Sequence, residues 1–218
     1  MHKIFIACDT TNIAKVKKIL IQSKTSKIKI GYKFGLEFMN SKKGRHFLSK
    51  IKKEIIFVDL KLNDTVNTML SAVKALKDLK INYLTVHISS GLAALKAVKK
   101  VSGSTKIVGV TTLTSLNNSD LKMIGYNKSV KNLVAHQAKL AKKASLDALV
   151  CSPYEVKLVR KIFKKEIITP GVQIGKKNYD QKRSQEAKRV NSDWLVIGRA
   201  ITRGNIKKNI QKLIKELR

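Results

Sequence analysis

Three charged residues crowd the end of one apolar run, Phe57-Val58-Asp59-Leu60-Lys61-Leu62-Asn63-Asp64. Side chains alternate along a β-strand, so Asp59 and Lys61 share one face while Val58 and Leu60 take the other. If the apolar pair packs against helices, the charged pair faces an interior, where desolvation is costly and the two must partner each other. Asp64 falls in the following loop or at a helix N-terminus, where exposed amides favour a carboxylate. An ammonium flanked by carboxylates stays protonated. The plain alternative is a structural ion pair tying strand to loop, and three charges at one strand end weigh against it.

Other apolar runs also close on polar residues: Asp9, Lys33, His87 and Thr114. Near the end of the chain stand Thr169-Pro170-Gly171-Val172-Gln173 and Ile197-Gly198-Arg199-Ala200. A Gly followed by Arg directly after a strand combines close backbone approach with a bidentate cation, which suits a phosphate. No Gly-x-Gly-x-x-Gly follows a strand, and Gly103-Ser104-Thr105-Lys106 lacks the upstream glycine of a P-loop. The histidines at 2, 46, 87 and 136 have no metal-ligand spacing, and His87 reads as a core or supporting residue. Cys8 and Cys151 each follow an apolar run and read as buried thiols of a reducing compartment.

The elements that must position these residues alternate along the chain. Strand candidates are Ile4 to Asp9, Ile28 to Phe34, Ile55 to Lys61, Tyr83 to Ile88, Ile107 to Leu113, Ala148 to Cys151, Ile167 to Gly171 and Trp194 to Ile197. Between them lie helical patterns such as Ile13, Val16, Ile19, Leu20 and Val66, Leu70, Val73, Leu76. Eight βα units predict an α/β fold, a single (β/α)8 TIM barrel over residues 1–218, with an open doubly wound sheet as runner-up. In such barrels sites form where strands end, which is where the polar residues above lie.

The chain has 46 Lys+Arg against 14 Asp+Glu, a formal charge of +32. That excess suggests nucleic acid or an anionic membrane as partner. Yet 39 of the cations are Lys and 7 are Arg, the reverse of what bidentate base or phosphate reading favours. Codon drift on solvated faces is the expected origin, with no specific nucleic-acid partner. No segment approaches the ~20 apolar residues of a bilayer span, and the stretch Ile4 to Cys8 is short for a signal peptide. A cytoplasmic protein with no membrane partner is expected.

From Ala7-Cys8-Asp9 to Gly198-Arg199-Ala200-Ile201-Thr202 the chain resembles the orotidine 5'-phosphate decarboxylase family. The resemblance rests on Asp59-x-Lys61-x-x-Asp64 with Phe57 before it and Asn67-Thr68 after it. Val86-His87, Leu113-Thr114-Ser115, Val150-Cys151-Ser152, Thr169-Pro170-Gly171 and Asp180-Gln181 follow in the family's order. It implies conversion of orotidine 5'-monophosphate to uridine 5'-monophosphate without a cofactor or metal, as a step of pyrimidine biosynthesis. Lys61 would donate the proton to pyrimidine C6, beside Asp59. Asp64 and Thr68 would reach the neighbouring site of a homodimer. Lys33 would complete the charge network and contact the ribose, Asp9 would bind a sugar hydroxyl, and Thr114 would sit near the pyrimidine. Gln181, the Gly198 amide and Arg199 would hold the phosphate.

Two positions depart from the family pattern. Gln173 stands in the phosphate loop where Arg is common, with Lys176 or Lys177 as potential substitutes, and Thr65-Val66 replace the usual Ile-Pro. Two other readings stay open. One is a Mg²⁺-dependent sugar-phosphate decarboxylase or hexulose-phosphate synthase of the same suprafamily. The other is a nucleic-acid-binding protein on an inactive barrel, although such a barrel should lose its costly interior charges first.

Overall fold

The computed structural model describes residues 3–173, 185–186 and 190–217, with 173 and 185–186 described by backbone alone. The strands are β1 (Lys3–Ala7), β2 (Lys29–Gly35), β3 (Ile55–Leu62), β4 (Tyr83–His87), β5 (Lys106–Val110), β6 (Ala148–Val150), β7 (Glu166–Thr169), β8 (Val172–Gln173), β9 (Gln185–Glu186) and β10 (Trp194–Ile197). β1 to β7 pair in sequence order, and β10 closes the ring between β7 and β1, all in parallel. Closure excludes the open doubly wound sheet. β8 and β9 pair with each other outside the barrel, and at two residues each they are too short to show a hydrophobic period.

The helices are α1 (Ile13–Gln22), α2 (Leu36–Met39), α3 (Gly44–Ser49), α4 (Val66–Ala75), α5 (Gly91–Val101), α6 (Asn118–Met123), α7 (Val130–Lys143), α8 (Val156–Ile162), α9 (Arg199–Thr202) and α10 (Ile206–Glu216). Helix α1 starts where the Asn12 side chain accepts the Lys15 N–H, and it buries Val16 and Ile19 while Lys15, Lys17 and Lys18 stay in solvent. Helix α10 repeats the plan, with Asn205 capping Lys208 N–H and with Ile206, Ile210, Leu213 and Ile214 buried.

Strand alternation divides the apolar residues into two layers. Val58, Leu84, Val86 and Ile107 face outward into the core beneath the helices, whereas Phe5, Phe57, Tyr83, Val108, Ile168 and Trp194 fill the barrel interior. Phe5 stacks on Trp194 with ring centroids 4.0 Å apart, and Phe57 and Tyr83 lie against it at 4.9 and 5.2 Å. Each such pair adds roughly 0.5–1.5 kcal/mol beyond area burial. Gly31 makes room for them, because a Cβ there would stand 2.6 Å from the Phe5 ring. At the N-terminal end Glu166 closes the interior, accepting hydrogen bonds from Lys106 at 2.8 Å and Tyr83 at 3.0 Å, with Lys3 at 3.4 Å. The apolar plug and this ionic lid leave the C-terminal mouth as the polar end of the barrel. Among the described residues no helix is long and apolar enough to cross a membrane.

Candidate active site

β1, β2 and β3 run side by side, with Ala7 opposite Lys33 and Gly35 opposite Asp59, so their interior-facing polar residues meet at the mouth. Lys33 Nζ lies 3.2 Å from Asp9 Oδ1 and 3.6 Å from Asp59 Oδ2, and Lys61 Nζ lies 2.8 Å from the same Asp59 oxygen. Charges therefore alternate along the row Asp9, Lys33, Asp59, Lys61. The side chains of Lys33 and Asp59 are each 13% exposed, against 58% for Asp9, so the row dips from solvent into the barrel and rises again to Lys61.

Pairing overcomes desolvation in the buried middle of the row. Burial alone would lower the Lys33 pKa, but the Asp59 and Asp9 carboxylates hold it above its ordinary 10.5. Burial alone would raise that of Asp59, but Lys33 and then Lys61 hold it below 3.8. Both remain charged across neutral pH. His87, half-buried at the end of β4, is kept below its ordinary 6.5 by burial and by the Lys61 charge, against an opposing pull from Asp59, and is neutral at pH 7. Burial pushes the neighbouring Cys8 thiol up to about 12, which makes it a packing residue rather than a nucleophile.

Alternation correctly places Val58 and Leu60 against the outer core and Asp59 inside. Lys61 departs from a regular pleat. Its φ is +50°, in the left-handed region that costs a side-chain-bearing residue roughly 1–2 kcal/mol, and the β3–β4 register shifts between Val58 and Leu62. Thr85 on β4 holds this bulge. Its hydroxyl accepts the Lys61 N–H at 2.8 Å and donates to Asp59 Oδ1 at 3.0 Å. Thr85 is fully buried and was not singled out in the sequence, although a polar residue between Leu84 and Val86 shares the inward parity of Tyr83 and His87.

The remaining candidates surround the row or stand apart from it. Asp64 lies exposed in the loop before α4 and accepts the Thr65 N–H at 2.7 Å, without joining the ion pairs of Lys33 or Lys61. Thr68, exposed in the first turn of α4, has its hydroxyl 3.1 Å from that of Thr65. Residues 63–68 are all exposed, an uninterrupted free edge beside the mouth. Thr114 is half-buried in the turn after β5. Gly198 directly follows β10 and precedes α9, its would-be Cβ 3.5 Å from the Ala7 Cβ, and Arg199 opens α9 as an exposed residue. Gln173 is placed by its backbone in β8, whereas Gln181, Lys176 and Lys177 lie outside the described residues. Among the described residues no group of three or more His, Cys, Asp and Glu is arranged to hold a metal ion.

Comparison with known proteins gives one answer. Residues 2–212 match the family model described as Orotidine 5'-phosphate decarboxylase / HUMPS family. A protein named orotidine 5'-phosphate decarboxylase from Wolbachia sp. subsp. Brugia malayi (strain TRS) is 38% identical over 224 residues, covering 98% of each chain. One of the same name from Sphingopyxis alaskensis is 38% identical over 210 residues, covering 93% of this chain and 92% of its own. The crystal structure of orotidine 5'-phosphate decarboxylase from Lactobacillus acidophilus superposes with a TM-score of 0.84 at 28% identity, covering 100% of this chain and 99% of its own. With the match running nearly end to end, the chain belongs to the orotidine 5'-phosphate decarboxylase / HUMPS family.

Proposed function

We propose that the chain decarboxylates orotidine 5'-monophosphate to uridine 5'-monophosphate and CO2, as a cytoplasmic step of pyrimidine biosynthesis, using one barrel domain over residues 1–218. The observation that carries this reading is the alternating Asp9, Lys33, Asp59, Lys61 row at the mouth of a barrel whose relatives bear that name. In the reaction the bond from pyrimidine C6 to the carboxylate breaks, its electron pair stays on C6, and C6 takes a proton from Lys61 Nζ. Solvent then reprotonates the amine. Asp59, with Lys33 behind it, holds the Lys61 ammonium in place until that moment. A substrate carboxylate ~4 Å from Asp59 would be repelled by about 4 kcal/mol at an effective dielectric near 20, a strain that departure of neutral CO2 relieves.

Asp9 and Lys33 bind the ribose, and Thr114 lies by the pyrimidine. Gly198, Arg199, Gln181 and Gln173 form the phosphate end, whose binding energy helps to order the loops. The exposed edge 63–68 supports a homodimer in which Asp64 and Thr68 serve the partner's site, since neither meets this chain's own charge row.

Following the loss of orotidine monophosphate absorbance with purified protein tests the reaction. Turnover that persists in a chelator is expected and separates it from Mg²⁺-dependent sugar-phosphate chemistry, while absence of turnover rejects it. Mixing inactive Lys61→Ala and Asp64→Ala variants tests the shared site. Heterodimers should regain one intact site of two, and a mixture as inactive as its components would reject the sharing.

A further inference from the structure

A line of positive charge runs down the outer wall of the barrel, along the seam where α1 packs beside α10. At the mouth end a cavity of about 560 Å³ is flanked by Lys15, Lys18 and Arg203. Below it a groove of about 890 Å³ is lined by Lys24, Lys27, Lys207, Lys208, Lys212 and Lys215 over a floor that includes Ile210 and Ile214. Half of the twelve residues lining the lower groove are Lys, against 46 Lys+Arg in 218 residues overall, and none of the 14 acids lines either cavity. Two acids border the groove, Glu54 at 3.8 Å from Lys24 and Glu216 directly after Lys215 at the end of α10. The fold thus brings Lys15 and Lys18 of α1, and Lys24 and Lys27 just after it, onto one seam with four lysines of α10 from the far end of the chain.

We propose that this seam binds the phosphate backbone of single-stranded nucleic acid without sequence preference. Charge complementarity commits it to a polyanion. A second copy of this chain is excluded as occupant because it carries +32, and seven of its acids already hold cations of their own: Asp9, Glu54, Asp59, Asp78, Asp147, Glu166 and Asp193. A lipid surface is disfavoured because the apolar face of α10 is already buried in the barrel, leaving Ile21 as the one large hydrophobic exposed in the groove. Ten residues of α1 give the seam a length of roughly 15 Å, room for a few successive phosphates of a strand. Apart from Arg203 the lining cations are Lys, and no aromatic ring on which a base could stack lines either cavity, so the seam reads backbone charge alone.

The experiment is fluorescence anisotropy of a labelled twenty-nucleotide oligothymidylate at 50 and 200 mM salt. It compares the wild-type protein with two variants of equal charge. One replaces Lys207, Lys208, Lys212 and Lys215 by Gln; the other replaces Lys131, Lys139, Lys142 and Lys143, exposed on α7, by Gln. Each cation that neutralises a phosphate of a single strand adds about 0.7 to the slope of log K against log salt. The seam variant should therefore bind more than tenfold more weakly at 50 mM and lose up to about 2.8 from its slope, while the α7 variant keeps the wild-type slope. Lys207→Gln with Lys212→Gln should give about half the change, and thermal unfolding should be the same for all four proteins. Equal losses in the seam and α7 variants would mean a diffuse field and overturn the proposal. So would wild-type binding weaker than millimolar at 50 mM salt, or equal competition by polyglutamate of matched charge.

Discussion

Thr85→Val tests whether the active-site charge row depends on one buried hydroxyl. Valine keeps the shape of the side chain but neither hydrogen bond. The Lys61 N–H then loses its acceptor in a buried strand, a penalty of about 1–3 kcal/mol, and Asp59 loses a bond of the charged class worth about 1.5–3 kcal/mol. The two losses share one bulge and do not add fully, so stability should fall by about 2–3 kcal/mol. For a chain of this length that corresponds to a drop in Tm of roughly 4–12 °C. The larger effect should be on turnover. The left-handed Lys61 backbone is held against its own preference by Thr85, so its relaxation displaces Nζ from the 2.8 Å contact with Asp59. A shift of about 1 Å at a reacting group costs on the order of 10²-fold in rate. Decarboxylation kinetics should accordingly show a kcat about a hundredfold lower with KM changed little, because the phosphate contacts are remote. Thr85→Ser restores the hydroxyl and should recover most of the rate. A Thr85→Val enzyme within threefold of wild-type kcat, or a Thr85→Ser enzyme equally impaired, would refute the positioning argument.

The pH dependence of the row has a definite sign. Asp59 is depressed below 3.8, so its stabilisation is present above that value and lost as pH falls through the folded-state pKa, while the contribution of Lys33, raised above 10.5, is lost only as pH rises through its own. The Tm gap between wild type and Asp59→Asn should be flat from about pH 5 to 9 and narrow below pH 3.8; a gap that widens in acid would contradict the assignment. In the plug, Gly31→Ala brings a Cβ to 2.6 Å from the Phe5 ring and 3.0 Å from the Ile55 carbonyl. Overpacking there should cost about 1–3 kcal/mol in denaturant titrations, and an unchanged midpoint would show that the aromatic layer yields freely.

The barrel was legible because each strand carries its own apolar run and each helix its own stripe, both local properties of the chain. Strand ends were less so. Ile107 to Leu113 reads as one run, yet β5 stops at Val110, because its neighbour β6 spans only Ala148–Val150 and offers no further ladder. Thr111 instead turns both its N–H and its hydroxyl to the Val150 carbonyl. Asp9, Lys33, Asp59 and Lys61 could be found as polar residues closing apolar runs, and they do meet. The bulge could not be found, since the φ of Lys61 is set by a hydroxyl 24 residues away on the next strand. For Asp64 and Thr68 only the family resemblance implied a partner's site, and within one chain they occupy an exposed edge.

The four charges of the row sum to zero, which is why the barrel tolerates them: each buried charge has an opposite neighbour within 4 Å. That balance also bears on the proposed chemistry. A substrate carboxylate placed beside Lys61 extends the alternation by one negative member, but it must also approach Asp59, where the row is already negative. When the carboxylate leaves as neutral CO2, the electron pair on C6 takes its place opposite the same ammonium, now without a second carboxylate competing for it. The row is thus better matched to the carbanion-like state than to the bound acid, and it achieves this with side chains fixed before substrate arrives, as transition-state complementarity requires. In the proposed reaction Thr85 would matter for the same reason, because a charge row free to relax would solvate the ground state equally well.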